Sequence, residues 1–329
     1  MTKKPKITFL DSSTMDPGDL DLSALNEFGD CTFHKTTSEE EALSNINEAG
    51  IIITNKVNID SNIISQSTNL QLIVVCATGV NNIDLIAAKD HGVIVCNVAN
   101  YSTPMVAQHT LALLLNLCGN THKYIGEKDS WPKSPIFTRL AHPVTELNGK
   151  TMGIAGSGNI GSLVGEISEQ MGMRIHILSR DRSSSSNHSK WPRISKEEFF
   201  SESDVISLHC PLTKENEHLI NSDTLNQMKP TAFLLNTSRG GLVNELALAD
   251  ALRAGEIAGA AIDVLSTEPP EKEHPLMENS IPNLLITPHI AWISLEARKR
   301  LLEGVIDNIR SFLSGNPSNR VAYETVKKL

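Results

Sequence analysis

The sequence has no Cys-x-x-Cys pair, no surplus of positive charge and no apolar run of membrane-spanning length. Its five cysteines, Cys31, Cys76, Cys96, Cys118 and Cys210, stand apart and are odd in number. That pattern argues against a disulfide framework and fits isolated, reduced thiols in a cytoplasmic protein, most of them small core residues. Lys and Arg number 29 against 38 Asp and Glu, giving a formal charge of -9. Such a chain is not expected to bind nucleic acid, although a local basic pocket stays compatible with it. The apolar run in "HTLALLLNLCG" is too short for the roughly 20 residues a spanning helix needs. The start, "MTKKPKITFL", has basic residues with no long apolar stretch behind them, so neither a signal peptide nor membrane association is expected. No His/Cys/Asp/Glu group has zinc spacing, so no metal is expected, and "SSSSN" is the only low-complexity tract.

What is present is a soluble globular chain of 329 residues, 40% hydrophobic and 20% charged. At roughly 150 residues per domain, it should hold one large or two ordinary domains. A chain this long buries about three quarters of its unfolded-state surface and needs no staple. "KITFLD", "CTFHK", "IIITN", "NLQLIVVCATG" and "VIVCNV" read as strands, separated by helical patterns such as "SEEEALSNINEAG" and "DLIAAKDHG". Near-continuous apolar strands alternating with helices indicate parallel sheet covered on both faces. A long helix follows from Thr103-Pro104 through "HKYIGE", with proline in its first turn. The proline-bearing stretch "DSWPKSPIFTRLAHPVTEL" reads as a connection. A second series then opens with "TMGIAGSGNIG" and should hold five or six strands with interleaved helices. A last helix, "SLEARKRLLEGVIDNIRSFLSG", ends at Gly315. The fold class is therefore α/β.

Gly156-x-Gly158-x-x-Gly161 follows an apolar strand and opens a helix, and a further strand comes soon after. In that context the pattern signals a dinucleotide. Gly156 allows a tight turn, Gly158 lets pyrophosphate approach, and Gly161 permits close helix–strand packing. The amides near Asn159 and Ile160 would face the pyrophosphate. A bare structural turn explains one glycine well and three at this spacing poorly.

Hydride transfer to a carbonyl needs a proton donor and a cation for a substrate carboxylate. Such groups belong just beyond strand C-termini. Arg239 in "LLNTSRGG", Glu268 in "IDVLSTEPP" and His289 in "LLITPHIAW" occupy such places. Arginine can grip a carboxylate in a bidentate way, and histidine exchanges protons near neutral pH. A neighbouring carboxylate would fix the ring's tautomer and favour its protonated form. Spacing alone leaves Arg239 open as a surface ion-pair partner, Glu268 as a solvated turn residue and His289 as a structural histidine. His91, His109, His142 and His209 read as structural on the same grounds.

The stretches "ITNKVNID", "VVCATGVNNIDL", "CNVANYSTPMVAQHT", "HPVTELNGKTMGIAGSGNIG", "NTSRGGLVNE", "AAIDVLSTEPP" and "TPHIAWISLEAR" occur in order at compatible separations. By them the chain resembles the D-isomer-specific 2-hydroxyacid dehydrogenases over essentially its full length. It is closest to the glycerate dehydrogenases, also called hydroxypyruvate reductases. The resemblance implies two Rossmann-like domains of helix-flanked parallel sheet with an active-site cleft between them, whose closure excludes water. The substrate domain would comprise residues 1–98 and 294–329, and the nucleotide domain 99–293. Arg239, Glu268 and His289 match the family's catalytic arginine, glutamate and histidine. Thr78, Gly79 and Val80 match its carboxylate loop, and Trp292 matches the glycerate dehydrogenase-like branch, lining the substrate pocket or filling the domain interface. Cofactor contacts would include Thr103, His209, Pro211, Thr237 and Asp263 besides the glycine turn. The implied reaction is reversible NAD(P)-dependent reduction of hydroxypyruvate to D-glycerate, with glyoxylate as a second substrate. A homodimer is implied as well, with the helix after Pro104 and "SWPKSPIF" as interface material. Gln108 replaces a usual glutamate, and Ser238 a frequent alanine, without touching the catalytic set.

The rivals are a relative acting on a bulkier 2-oxo acid and a non-catalytic dinucleotide sensor, the second disfavoured by the intact Arg239, Glu268 and His289. At the ribose side, Ser179 falls where NAD-preferring relatives usually have aspartate. Arg180 could pair with a 2′-phosphate, and Ser179 could donate to it. Asp181 could instead take the acid's role, or simply neutralise Arg180 or Arg182. The expectation is NAD or NADP, with NADPH usable.

Overall fold

Runs such as Ile51–Thr54 and Leu72–Val75 are buried at every position, which an amphipathic strand could not be. They form the middle of a parallel sheet covered on both faces. The computed structural model describes residues 4–179 and 190–321. The chain divides into two compact units, Met1–Ser102 with Trp292–Leu329, and Thr103–Ala291.

In the first unit, strands β1 (Lys6–Phe9), β2 (Asp30–Phe33), β3 (Ile51–Thr54), β4 (Leu72–Val75) and β5 (Ile94–Asn97) form one sheet in the order β2-β1-β3-β4-β5. Every pairing is parallel. This is the flavodoxin-like order. Three helices connect the strands. Helix α1 (Glu39–Ile46) begins with a capping box between Ser38 and Glu41, and three glutamates fill its first turn. Helices α2 (Ser61–Gln66) and α3 (Leu85–Asp90) are capped by Asp60 and Asp84. The helix Leu295–Leu313 returns to this unit and buries Ala297, Leu301, Leu302, Val305 and Ile309. Arg298 on that helix grips the Asp19 carboxylate with both terminal nitrogens, and its Nε donates to the Ile293 carbonyl at 2.8 Å. Its Gly304 lets the helix approach Val98, where a Cβ would come within 2.4 Å of a methyl.

The second unit opens with α4 (Thr103–Gly119), which buries eight residues, and α5 (Thr121–Gly126). The single long helix expected here breaks at Asn120, which takes a left-handed conformation with φ 47° and donates its Nδ2 to the Pro143 carbonyl at 2.7 Å. Asparagine tolerates that region better than most residues, and a local bond holds it there. The remaining elements are β6 (Thr151–Ala155), α6 (Asn159–Gln170), β7 (Arg174–Leu178), β8 (Arg193–Ile194), α7 (Lys196–Glu202), β9 (Val205–Leu208), α8 (Ser222–Gln227), β10 (Phe233–Asn236), α9 (Glu245–Ala254), β11 (Gly259–Ile262) and β12 (Leu284–Ile286). Seven strands, rather than five or six, pair in the order β12-β11-β10-β9-β6-β7-β8. The added strand, β8, has two residues, too few for any periodicity to register. All pairings are parallel. Chain order runs outward from β6 in one direction and resumes from β9 in the other, so the topological switch point lies between those two strands. Among the described residues, no helix is long and apolar enough to cross a membrane.

Candidate active site

Strand β6 runs directly into the glycine turn at the switch point. Gly156 holds φ 104°, and a Cβ there would lie 2.6 Å from the Cys210 nitrogen, beyond the end of β9. A side chain is excluded by conformation and by space together. Gly161 lies in the first turn of α6, where a Cβ would meet the Gly156 carbonyl oxygen at 2.1 Å. Gly158 is different in kind: a Cβ there would meet nothing within 4 Å. It is the N-cap of α6, in extended conformation, with no side chain to cap the helix. Two glycines thus draw backbone together, and the third leaves open space before the amides of Asn159 and Ile160. That cradle, at the positive end of a helix, fits a pyrophosphate.

The proposed ribose side lies where β7 ends. The Ser179 amide donates to the Ile194 carbonyl at 3.1 Å, which ties the end of β7 to β8. Arg180 and Asp181 lie outside the described residues. Arg193 on β8 donates from Nη2 to Ser157 Oγ at 3.2 Å, so a guanidinium stands beside the glycine turn. Sequence reasoning missed this residue. The signal was a cation following the polar loop, but its register against Ile177 on β7 comes from the sheet.

The other proposed cofactor residues surround the same strand ends. His209 Nε2 pairs with Ser207 Oγ at 2.8 Å, and burial pushes this imidazole down to about 4. It is therefore neutral near pH 7. Thr237 and Thr110 share a hydroxyl–hydroxyl bond of 2.9 Å, which ties the end of β10 to α4. Thr103 opens α4, and Pro211 is exposed just past β9. Asp263, at the end of β11, is buried. Burial alone would raise its pKa, but His109, Thr287 and the amides of Ala291 and Ile290 together hold it below the usual carboxylate range.

The three candidate catalytic side chains follow three adjacent strands. Arg239 follows β10, Glu268 follows β11, and His289 follows β12. His289 Nδ1 donates to Glu268 Oε2 at 2.6 Å, and both side chains are about one-third exposed, at 29% and 32%. The other oxygen, Glu268 Oε1, accepts the Leu265 amide at 2.8 Å. The carboxylate is thus oriented by backbone before it meets the ring. With Nδ1 committed, Nε2 is the ring atom left for proton exchange. His289 itself is held at φ 54°, a conformation that costs a non-glycine residue on the order of 1–3 kcal/mol. The Asp263 peptide and side chain hold it there. The His289 amide donates to the Asp263 carbonyl at 2.8 Å, while Ile290 and Ala291 donate to the Asp263 carboxylate at 3.0 and 2.9 Å. His109 Nε2 pairs with Thr287 Oγ1 at 3.1 Å.

Arg239 is brought to the same strand ends by a close backbone approach. A Cβ on Gly240 would lie 1.9 Å from the Leu265 carbonyl carbon, so the turn after Arg239 packs directly on the segment that carries Glu268. Asn236 braces this turn by donating to the Arg239 carbonyl at 2.9 Å, and Arg239 Nη1 donates to the Ser238 carbonyl at 2.7 Å. Thr78, Gly79, Val80 and Trp292 belong to the other unit. There the Asn97 side chain donates to the Thr78 carbonyl at 2.6 Å, and Trp292 packs edge-on against Tyr101 at 6.1 Å. Among the described residues, no three His, Cys, Asp or Glu side chains gather to hold a metal ion.

This arrangement can orient a cofactor at a glycine turn, bind a carboxylate and pass one proton. Residues 111–291 match the family description "D-isomer specific 2-hydroxyacid dehydrogenase, NAD binding domain". The chain is similar to a hydroxypyruvate reductase of Blautia hydrogenotrophica, 37% identical over 96% of this chain and 99% of the relative. It is also similar to a glycerate dehydrogenase of Methylorubrum extorquens, 35% identical over 98% and 99%. Among solved structures it resembles an acyclic imino acid reductase in complex with NADPH and D-Arg, with TM-score 0.84 and 30% identity over 96% of this chain and all of that one.

Proposed function

From the premise that this chain belongs to the D-isomer-specific 2-hydroxyacid dehydrogenase family, NAD(P)-dependent oxidoreductases of small 2-oxo and 2-hydroxy acids, we propose that it reversibly reduces hydroxypyruvate to D-glycerate. Glyoxylate, which shares the carboxylate and adjacent carbonyl, is the proposed second substrate. The observation that carries the chemistry is the 2.6 Å bond between His289 and Glu268, beside a turn that presents an arginine.

Asn159, Ile160 and the three glycines would hold the cofactor pyrophosphate. Ser179, with Arg180 and Asp181 beyond the described residues, would meet the ribose, and Thr103, His209, Pro211, Thr237 and Asp263 would complete the contacts. When bound, the nicotinamide supplies the hydride for the substrate carbonyl carbon. Arg239 binds the substrate carboxylate and polarises the carbonyl. His289 donates the proton on Nε2 to the developing alkoxide, and recovers it in the reverse direction. Glu268 keeps Nδ1 protonated, which leaves Nε2 facing the reaction. The amides of Gly79 and Val80, with Thr78 and Trp292, are proposed as further substrate contacts.

The test is a steady-state matrix of hydroxypyruvate, glyoxylate, pyruvate and phosphohydroxypyruvate against NADH and NADPH. Hydroxypyruvate should give the highest kcat/KM, and a higher value for another acid would overturn the substrate. Cofactor binding with no turnover across the panel would favour a sensor. His289→Ala should mainly lower kcat, whereas Arg239→Ala should raise KM strongly and lower kcat too. Near-wild-type kinetics in both variants would sink the assignment.

A homodimer is proposed as well. Trp131, Ile136, Phe137, Leu140 and Val144 are exposed in the connection after α5, with Phe137 91% exposed. Such a gathering of apolar side chains is costly in water and suits a second copy of the chain. Sedimentation at the mass of one 35.9 kDa chain would refute it.

A further inference from the structure

Another imidazole–carboxylate pair in the nucleotide-binding unit, Glu245 and His274, is more deeply buried than Glu268 and His289. Glu245 opens α9, directly after its N-cap Asn244. A glutamate in a first helical turn usually extends into water and needs no partner beyond the helix dipole. Here its side chain is only 11% exposed, and that of His274 only 10%. Burying a carboxylate this far is expensive unless its lone pairs are matched. They are matched by three donors. Oε1 accepts the Ser266 amide at 2.7 Å, and Oε2 accepts the Ser266 hydroxyl at 2.5 Å and His274 Nε2 at 2.9 Å. The other ring nitrogen, His274 Nδ1, accepts the Leu276 amide at 3.2 Å. Two fixed partners therefore set the tautomer, with the proton on Nε2 facing Glu245.

The segment this pair grips is the one that carries Glu268. Leu265 donates its amide to Glu268 Oε1, and the next residue, Ser266, donates both its amide and its hydroxyl to Glu245. Successive peptides are thus held by two different carboxylates. The same segment is pressed by Gly240, with no room for a Cβ. We infer that Glu245 and His274 are positioning residues, which hold Leu265–Ser266 so that Glu268 presents Oε2 to His289. The inference rests on the reading of Glu268 as the partner of the proton donor. A pair that merely stitched α9 to the following loop would contribute stability and nothing else. A positioning pair acts through Glu268 and must share its kinetic signature.

The experiment uses the full-length protein with hydroxypyruvate and saturating cofactor. It compares Glu268→Gln, Glu245→Ala, His274→Ala, His274→Gln, Ser266→Ala and the double variant Glu245→Ala/Glu268→Gln. Glu268→Gln replaces the carboxylate that His289 Nδ1 meets by an amide, so kcat for reduction should fall and its pH profile should shift. Glu245→Ala and His274→Ala should move it in the same direction and lower kcat by roughly 10-fold or more, as a misplaced catalytic group does. NADH binding, followed by fluorescence, should stay within about twofold, since those residues do not touch the glycine turn. His274→Gln, whose amide can still donate to Glu245, should recover part of the loss. The double variant should be no slower than Glu268→Gln alone, because coupled residues are not additive. Multiplicative losses in the double variant, or a lower Tm with wild-type kcat and pH profile, would overturn the inference. Should His274→Ala fail to fold, Ser266→Ala, which deletes one bond at the surface end, carries the same test. If Glu268→Gln itself leaves kcat and its pH profile unchanged, the reading of Glu268 falls, and this inference with it. If Glu268→Gln shifts them and neither Glu245→Ala nor Ser266→Ala does, only the inference falls.

Discussion

Gly240→Ala adds one methyl group at the place where the candidate site has least room. The new Cβ would lie 1.9 Å from the Leu265 carbonyl carbon and 2.2 Å from both Leu265 O and Ser266 N. Carbon atoms in ordinary contact stand about 3.5–4.0 Å apart, so the two segments must separate by roughly 1.5–2 Å. All three obstructing atoms are backbone, so no rotamer change relieves the clash. Overpacking of this kind costs about 1–3 kcal/mol. For a domain of this size each kcal/mol lowers Tm by about 2–4 °C. The kinetic effect should be larger than the thermal one. The displaced segment supplies the Leu265 amide that orients Glu268, and Glu268 lies 2.6 Å from His289. A misplacement of about 1 Å can cost on the order of 100-fold in rate. We therefore expect kcat for hydroxypyruvate reduction to fall at least about 10-fold, with NADH affinity within about twofold. The matching control is Gly158→Ala, where a Cβ meets nothing within 4 Å. It should leave Tm nearly unchanged and weaken cofactor binding, because the methyl group enters the space a pyrophosphate would occupy. Differential scanning fluorimetry, NADH fluorescence titration and steady-state kinetics separate the two. Wild-type kcat in Gly240→Ala, or a loss traced wholly to cofactor affinity, would refute the reasoning.

Acid should weaken the fold partly through His209. Its folded value of about 4 lies below the ordinary 6.5, so between those values the unfolded chain binds the extra proton and stability falls as pH drops. The full gap corresponds to roughly 3 kcal/mol, reached near pH 4. His209→Gln, which keeps a partner for Ser207, should flatten Tm against pH across that window, and an unchanged slope would count against the assignment. Arg193→Ala should weaken NADPH binding more than NADH binding, by about 10-fold if the guanidinium makes one charge-assisted bond to a 2′-phosphate. Equal weakening of both cofactors in fluorescence titrations would limit Arg193 to a general role at the turn.

Much of this fold could be read from the chain because parallel strands are buried on both faces. "IIIT" and "LIVV" need no neighbours to be recognised as strands, and Gly156, Gly158 and Gly161 carry their reason in their spacing. The long helix after Thr103 was legible in its apolar core but not in its end, since Asn120 stops it through a bond to Pro143, far along the chain. Strand β8 was silent because two residues have no period. Arg239, Glu268 and His289 were candidates by their places after strands, although spacing alone left each open to a structural role. The supports around them could not be picked out. Glu245, Ser266 and His274 are ordinary polar residues in sequence, and their purpose appears only when long-range contacts bring them to one segment.

The seven-stranded sheet separates two tasks along its width. On the proposed function, strands β10, β11 and β12 end in the groups that would move a proton and bind a carboxylate, while β7 and β8, on the far side of the switch point, end where the ribose would lie. Changes at the β7–β8 margin can therefore retune which dinucleotide is accepted while the reaction is left intact, and changes beyond β10 can alter the acid that reacts without disturbing that choice. Such a layout lets the two specificities drift independently over evolutionary time, so that one scaffold can be refitted for a new redox pool or a new metabolite by editing a single margin of the sheet.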